Sequence, residues 1–171
     1  GKSTMIKILN GAYARDSGAI EFAGQPWTAA SPQQAQRSGV STIFQEINLI
    51  PLRSVAENIY LGREPRRRFG LLDWKAMHDG ARKLLGRFDV DIDVGEPLGS
   101  FSTALQQMVA IARAVSFEAR LVIMDEPTSS LDEAEVVVLM RTIRQLQAEG
   151  VAVIFVSHKL EEVFDICDTV T

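Results

Sequence analysis

The stretch Leu121-Val-Ile-Met-Asp125-Glu126-Pro127 decides the fold. A short apolar run rich in branched residues, closed by a proline that cannot donate to a ladder, reads as a strand buried on both faces. Outward from it the pattern repeats. Asp132 to Glu149 has helical spacing, Val151 to Val156 is a second buried strand, and Lys159 to Ile166 is again helical. On the other side Val40 to Phe44 (VSTIF) is a compact β-branched strand. Apolar strands alternating with helices specify a parallel sheet covered on both faces. The paired acids Asp125 and Glu126 then stand at its carboxyl edge, where such sheets bind ligands.

Towards the N-terminus, Thr4 to Leu9 suits the first turns of a helix and Asp16-Ser17-Gly18 a turn. Ala19 to Phe22, closed by Ala23-Gly24-Gln25-Pro26, reads as a short strand of an antiparallel hairpin. The middle of the chain is helical. Ser54-Val-Ala-Glu57 is a capping box, and Asp73 to Phe88 carries Trp74, Met77, Ala81, Leu84, Leu85 and Phe88 near helical spacing. Gly80 inside that helix costs about 1 kcal/mol relative to alanine. The predicted architecture is an α/β core with a mostly parallel sheet and an N-terminal antiparallel hairpin. An α-helical subdomain, about residues 57–118, is inserted in it, all within a single domain over residues 1–171.

The 171 residues, 46% of them hydrophobic, suffice for one domain with a sizeable core. A net charge of −4 gives no reason to expect nucleic acid as a partner. Cys167 is the single cysteine, so there is no internal disulfide framework, and it reads as a small apolar core residue. No apolar run approaches the roughly eighteen residues needed to span a bilayer.

Gly1-Lys2-Ser3-Thr4 matches the closing half of the phosphate-binding loop G-x-x-x-x-G-K-[ST]. Glycine lets the backbone approach phosphate, and the following helix points free amides and its positive end at the anion. Lys2 would reach the β- and γ-phosphates of ATP, the Ser3 hydroxyl would coordinate Mg²⁺, and Thr4 would donate near the α-phosphate. The first positions of the motif and the strand before it are not in the chain, so the sequence reads as beginning inside the loop and nucleotide affinity is expected to be reduced. In such a loop class Asp125 would hold Mg²⁺ through its water shell. Glu126 would polarise or deprotonate the attacking water.

Three more polar residues follow core strands or the acidic pair: Gln45 after VSTIF, Asp132 after Thr128-Ser-Ser-Leu131, and His158 after Val151 to Ser157. With GKST and LVIMDEP they form an ordered set that resembles the nucleotide-binding subunit of ABC transporters over essentially the whole chain. The resemblance implies that Gln45 senses Mg²⁺ and water and moves with the transport partner. It implies that Asp132 communicates across a head-to-tail dimer of ATPase domains, and that His158 contacts the γ-phosphate and orients the water. Glu126, His158 and Lys2 would be the catalytic set. Glu57 to Pro65, Leu72 to Lys75 and Ser157 to Asp168 resemble, more narrowly, the ATP-binding proteins of bacterial monosaccharide importers of the ribose, xylose and galactose type. Those are typically two ATPase halves in tandem, and the chain is similar to the N-terminal half, cut before its closing strands. Such a subunit works peripherally at the cytoplasmic face of the inner membrane. Its partners are transmembrane permease subunits and, indirectly, a periplasmic sugar-binding protein. A non-transport ABC ATPase and a catalytically weakened regulatory module are the alternatives. Against the first, residues 46–101 show no coiled-coil heptads and no basic arm.

One stretch departs from the family. Where L-S-G-G-Q is usual, the chain has Phe101-Ser-Thr-Ala-Leu105. Ser102 is retained and, at a helix N-cap, is the expected γ-phosphate ligand for the opposite domain. Thr103, Ala104 and Leu105 either leave backbone contacts intact or weaken closure, and the sequence leaves both open. Arg66-Arg-Arg68 reads as a solvated loop, Trp27 and Trp74 as packing residues, and His78 has no companions at metal-ligand spacing.

Overall fold

The computed structural model describes residues 1–44 and 49–170. It divides into two compact units. The first comprises residues 1–45, 117–127 and 143–171, and the second residues 46–116 and 128–142.

In the first unit, helix α1 (Lys2–Leu9) starts from Gly1 as its N-cap and buries Ile6. It ends at Asn10 and Gly11. Gly11 is required twice over: its φ is +75°, and a Cβ there would come within 2.8 Å of the Ala29 Cβ and the Ser31 carbonyl. Strands β1 (Glu21–Phe22) and β2 (Gln25–Pro26) then pair antiparallel, Phe22 opposite Gln25 and Glu21 opposite Pro26. Gln25 and Pro26, expected to close the turn, are therefore the second strand. The turn is Ala23-Gly24 alone, with φ of 56° and 75°, the doubly left-handed geometry that two-residue hairpins favour. Trp27 is buried as expected, edge-on to Phe22 at 5.2 Å, and its indole N–H donates to the Leu9 carbonyl at 3.1 Å.

A helix the sequence reading passed over, α2 (Pro32–Arg37), follows, capped by the Ser31 hydroxyl, with proline at its start. Strands β3 (Val40–Ile43), β4 (Leu121–Asp125) and β5 (Ala152–Val156) form a parallel sheet in the order β3-β4-β5. Val40 lies opposite Leu121, and Leu121 opposite Ala152. The ladder between β4 and β5 runs one residue beyond Met124, so Asp125 pairs with Val156 and is itself the last residue of the strand. Ile6, Trp27, Ala35, Val40, Leu121, Ile123 and Val156 form a hydrophobic core, which puts α1 and the hairpin on the sheet. Helix α7 (Leu160–Ile166) follows β5.

The second unit is helical. Helices α3 (Val55–Tyr60), α4 (Trp74–Gly86) and α5 (Thr103–Ser116) pack together around Ile59, Met77, Leu85, Met108 and Ile111. The Ser54–Glu57 capping box forms in full. Asn58 is completely buried and satisfied: its amide accepts the Ile50 N–H and donates to the carbonyls of Ile50, Arg53 and Ser54. Helix α4 stops two residues before Phe88 because Asp89 turns left-handed, φ 56°, and Val90 N–H returns to the Leu85 carbonyl. Trp74 corrects an expectation. It is 49% exposed, because as the first residue of α4 it has no preceding turn to cover it, and its ring meets only the edge of His78 among the ring contacts described. Helix α6 (Glu133–Ala148) belongs to the second unit up to Thr142 and to the first from Ile143.

Candidate active site

The carboxyl edge of the sheet gathers most of the predicted chemistry of the first unit. Asp125 ends β4, and Glu126 follows with φ 52°, a left-handed backbone that a side-chain-bearing residue seldom adopts. It is held there by β5, since Glu126 N–H donates to the Val156 carbonyl at 2.8 Å. Strained backbone of this kind concentrates at functional sites.

Two residues beyond β5 stands His158. Its Nδ1 lies 2.7 Å from each carboxylate oxygen of Glu126. An ionised carboxylate only accepts, so Nδ1 carries the hydrogen and, in the neutral ring, Nε2 is left as an acceptor. The Glu126 side chain is 21% exposed and that of His158 67%, so the pair opens to solvent on the histidine side.

Burial first, and then the neighbouring charge of Glu126, push the Asp125 carboxyl above its ordinary value, while Lys2 partly opposes this. Lys2, the first residue of α1, is therefore close enough to act on that carboxyl. Gly1 makes no side-chain cap, the first turn holds no acid, and the first intrahelical bond is Met5 N–H to the Gly1 carbonyl. The amides of Lys2, Ser3 and Thr4 have no acceptor within the helix, as at any helix start, and all three residues are exposed. Positive helix end, lysine and hydroxyl on one side, and two carboxylates on the other, suit an anion bridged to a cation. The donor set also fits Mg²⁺, which prefers hard oxygen ligands such as the Asp125 carboxylate and the Ser3 hydroxyl.

Gln45 lies outside the described residues. Ser102 and Asp132 belong to the second unit, where each caps a helix. The Ser102 hydroxyl accepts the Leu105 N–H at 3.4 Å at the start of α5, and the residue is exposed. Asp132 and Glu135 form a reciprocal box at the start of α6, Glu135 N–H to Asp132 Oδ1 at 2.8 Å and Asp132 N–H to Glu135 Oε2 at 3.2 Å. The spacing Asp132-Glu-Ala-Glu135 signalled this box, which sequence reasoning missed. It also missed Ser157 and Glu162, which flank the histidine turn and hydrogen-bond at 3.2 Å. The only hint was a serine and a glutamate on either side of His158. Cys167 is half-buried, with its thiol pushed up by desolvation. Arg67 pairs with Asp73, and Arg66 donates to the Gly70 carbonyl, on an exposed loop.

The ABC transporter family model matches residues 1–129. The chain belongs to the ABC transporter family. Over all of its length it is 51% identical to the ribose import ATP-binding protein RbsA 1 of Rubrobacter xylanophilus, and it spans 34% of that protein. Among solved structures it resembles a nucleotide-free ATP-binding cassette from an ABC transporter, with a TM-score of 0.83 and 21% identity, covering 98% of this chain and 70% of that one. It also resembles CbiO1 of Clostridium perfringens, part of the ABC transporter complex CbiONQ, with a TM-score of 0.78 and 26% identity over 98% of this chain and 66% of that one. The fold of this ABC family chain is therefore the α/β fold of the ATP-binding cassettes, a phosphate-loop NTPase fold with a parallel sheet, an antiparallel hairpin and helices.

Proposed function

We propose that the chain is the catalytic portion of an ATPase that drives monosaccharide import through an ABC transporter. The observation that carries the reading is the contact of His158 Nδ1 with Glu126 at 2.7 Å, beside an Asp125 that feels Lys2. Gly1, Lys2, Ser3 and Thr4 cradle the phosphates of ATP with helix-start amides and one ammonium. Ser3, Asp125 and Gln45 would hold Mg²⁺, which when bound neutralises charge on the phosphates. Glu126 accepts a proton from the attacking water. His158, held by its Nδ1–H against Glu126, leaves Nε2 as an acceptor for a hydrogen of the attacking water. Ser102 and Asp132, each at an exposed helix start, serve the face of a second ATPase domain in a head-to-tail dimer.

The chain is read as one ATPase domain with a helical insertion at about 57–118. Likeness to the ribose import protein supports a sugar as cargo, with permease subunits and a periplasmic sugar-binding protein as partners. None of the described helices is long and apolar enough to cross a membrane. Likeness to the ribose import protein also supports a peripheral subunit at the cytoplasmic face.

The test uses the full-length protein with its permease in proteoliposomes and a panel of monosaccharides delivered by the binding protein. One sugar should stimulate ATP hydrolysis, and Glu126→Gln should lower turnover about a hundredfold or more. Glu126-dependent hydrolysis that no sugar stimulates would remove the import assignment and keep the ATPase.

A further inference from the structure

His158 makes the contact with Glu126, yet most of its own side chain is exposed, so packing does little to hold the ring. What restrains it lies on either side in the chain. The Ser157 hydroxyl donates to Glu162 Oε2 at 3.2 Å and accepts the Lys159 N–H at 3.0 Å, which closes a small turn around His158. The Lys159 ammonium meets the other oxygen of the same carboxylate, Oε1, at 3.1 Å. One side chain in the first turn of α7 therefore grips both neighbours of the histidine.

The burial of that carboxylate separates it from an ordinary surface pair. Glu162 is 11% exposed, against 48% for Lys159. Exposed ion pairs are weak because water screens them and both side chains stay mobile. A carboxylate shielded from water interacts more strongly with its partners, and a glutamate in the first turn of a helix is further favoured by the helix dipole.

We propose that Glu162 is a positioning residue for His158: it holds the Ser157 hydroxyl, which in turn accepts the Lys159 N–H, and the Lys159 ammonium, and so fixes the turn around the histidine so that Nδ1 stays against Glu126. The kinetic consequence rests on the ATPase reading above, and the structural consequence does not. Glu162 meets the chain neighbours of His158 on both sides. It acts through Ser157 and Lys159, and releasing it lets the ring leave Glu126 while the phosphate-binding residues stay in place.

The ring itself reports the effect. Because which nitrogen carries the hydrogen is set by the partner it meets, His158 bound to Glu126 is the Nδ1–H form. The experiment compares full-length wild type, Glu162→Ala, Glu162→Gln and Glu126→Gln. It reads ¹⁵N shifts of labelled histidine, with the His158 signal assigned by its loss in His158→Ala, alongside steady-state ATP hydrolysis. Glu162→Ala should lose the Nδ1–H signature and lower kcat about tenfold to a hundredfold, the scale of a small misplacement, with KM for ATP nearly unchanged. Glu162→Gln keeps an acceptor for Ser157 but no charge for Lys159. It should fall between the two and remains informative if Glu162→Ala fails to fold. Retention of the Nδ1–H signature in these variants overturns the proposal, whatever their kcat. If wild type and Glu126→Gln hydrolyse ATP equally, the ATPase reading falls, and the tautomer still decides the role of Glu162.

Discussion

Asp125 ends its strand between two opposite influences. Burial and the Glu126 charge raise its pKa, and Lys2 lowers it by less. A carboxyl whose folded value lies above the ordinary one favours the folded state when protonated. That contribution is complete below the ordinary value of 3.8 and is lost as pH rises through the raised one. At neutral pH, without Mg²⁺, the ionised Asp125 therefore opposes folding. Asp125→Asn should raise the thermal midpoint of the metal-free protein at pH 7. Its advantage should shrink on acidification and vanish below the ordinary aspartate value, as followed by melting at a series of pH values. An advantage that persisted unchanged into acid would rule out this electrostatic origin. The same substitution should weaken Mg²⁺-dependent nucleotide binding, the trade of stability for function that active sites commonly make. The acidic pair could be found in the sequence because a buried strand ending in two acids is a local pattern. The left-handed backbone at Glu126 could not, since it depends on the Val156 carbonyl from a strand far along the chain.

Helix α4 contains a glycine that helix propensity alone disfavours. A Cβ at Gly80 would lie 2.0 Å from the Tyr60 hydroxyl and 3.0 Å from Cζ of its ring, so glycine makes room for α3 to pack against α4. Alanine gains about 1 kcal/mol of propensity but overpacks the contact by about 1–3 kcal/mol. Gly80→Ala alone should therefore destabilise the protein in urea unfolding. Combined with Tyr60→Phe, which removes the hydroxyl, it should recover part of the loss, with a coupling of at least about 0.5 kcal/mol in the double-mutant cycle. Simple additivity would refute the steric explanation. By contrast, the start of α3 was readable in advance, because a capping box involves only residues three apart, and both of its bonds form. The early end of α4 was not, because the apolar spacing continues through Phe88 while the backbone turns away at Asp89.

In the sheet, β4 is hydrogen-bonded on both sides, to β3 and β5, and its residues Val122, Ile123 and Met124 are fully buried. Their amides should exchange with solvent only through the largest opening of the first unit, whereas those of the two-residue strands β1 and β2 should exchange much faster. Hydrogen exchange resolved by residue tests this, and equal rates in β4 and the hairpin would contradict it. Residues close in the chain determined what the sequence could determine: apolar runs marked β3, β4 and β5, helical spacing marked α4, α6 and α7, and GKST with LVIMDEP marked phosphate chemistry. Strand order, the pairing of Asp125 with Val156, the exposure of Trp74 and the meeting of His158 with Glu126 were decided only by the tertiary structure. Periodicity reports which side of an element is apolar, but which element covers that side, and which side chain from a distant strand reaches a given carboxylate, depends on contacts that no local window contains.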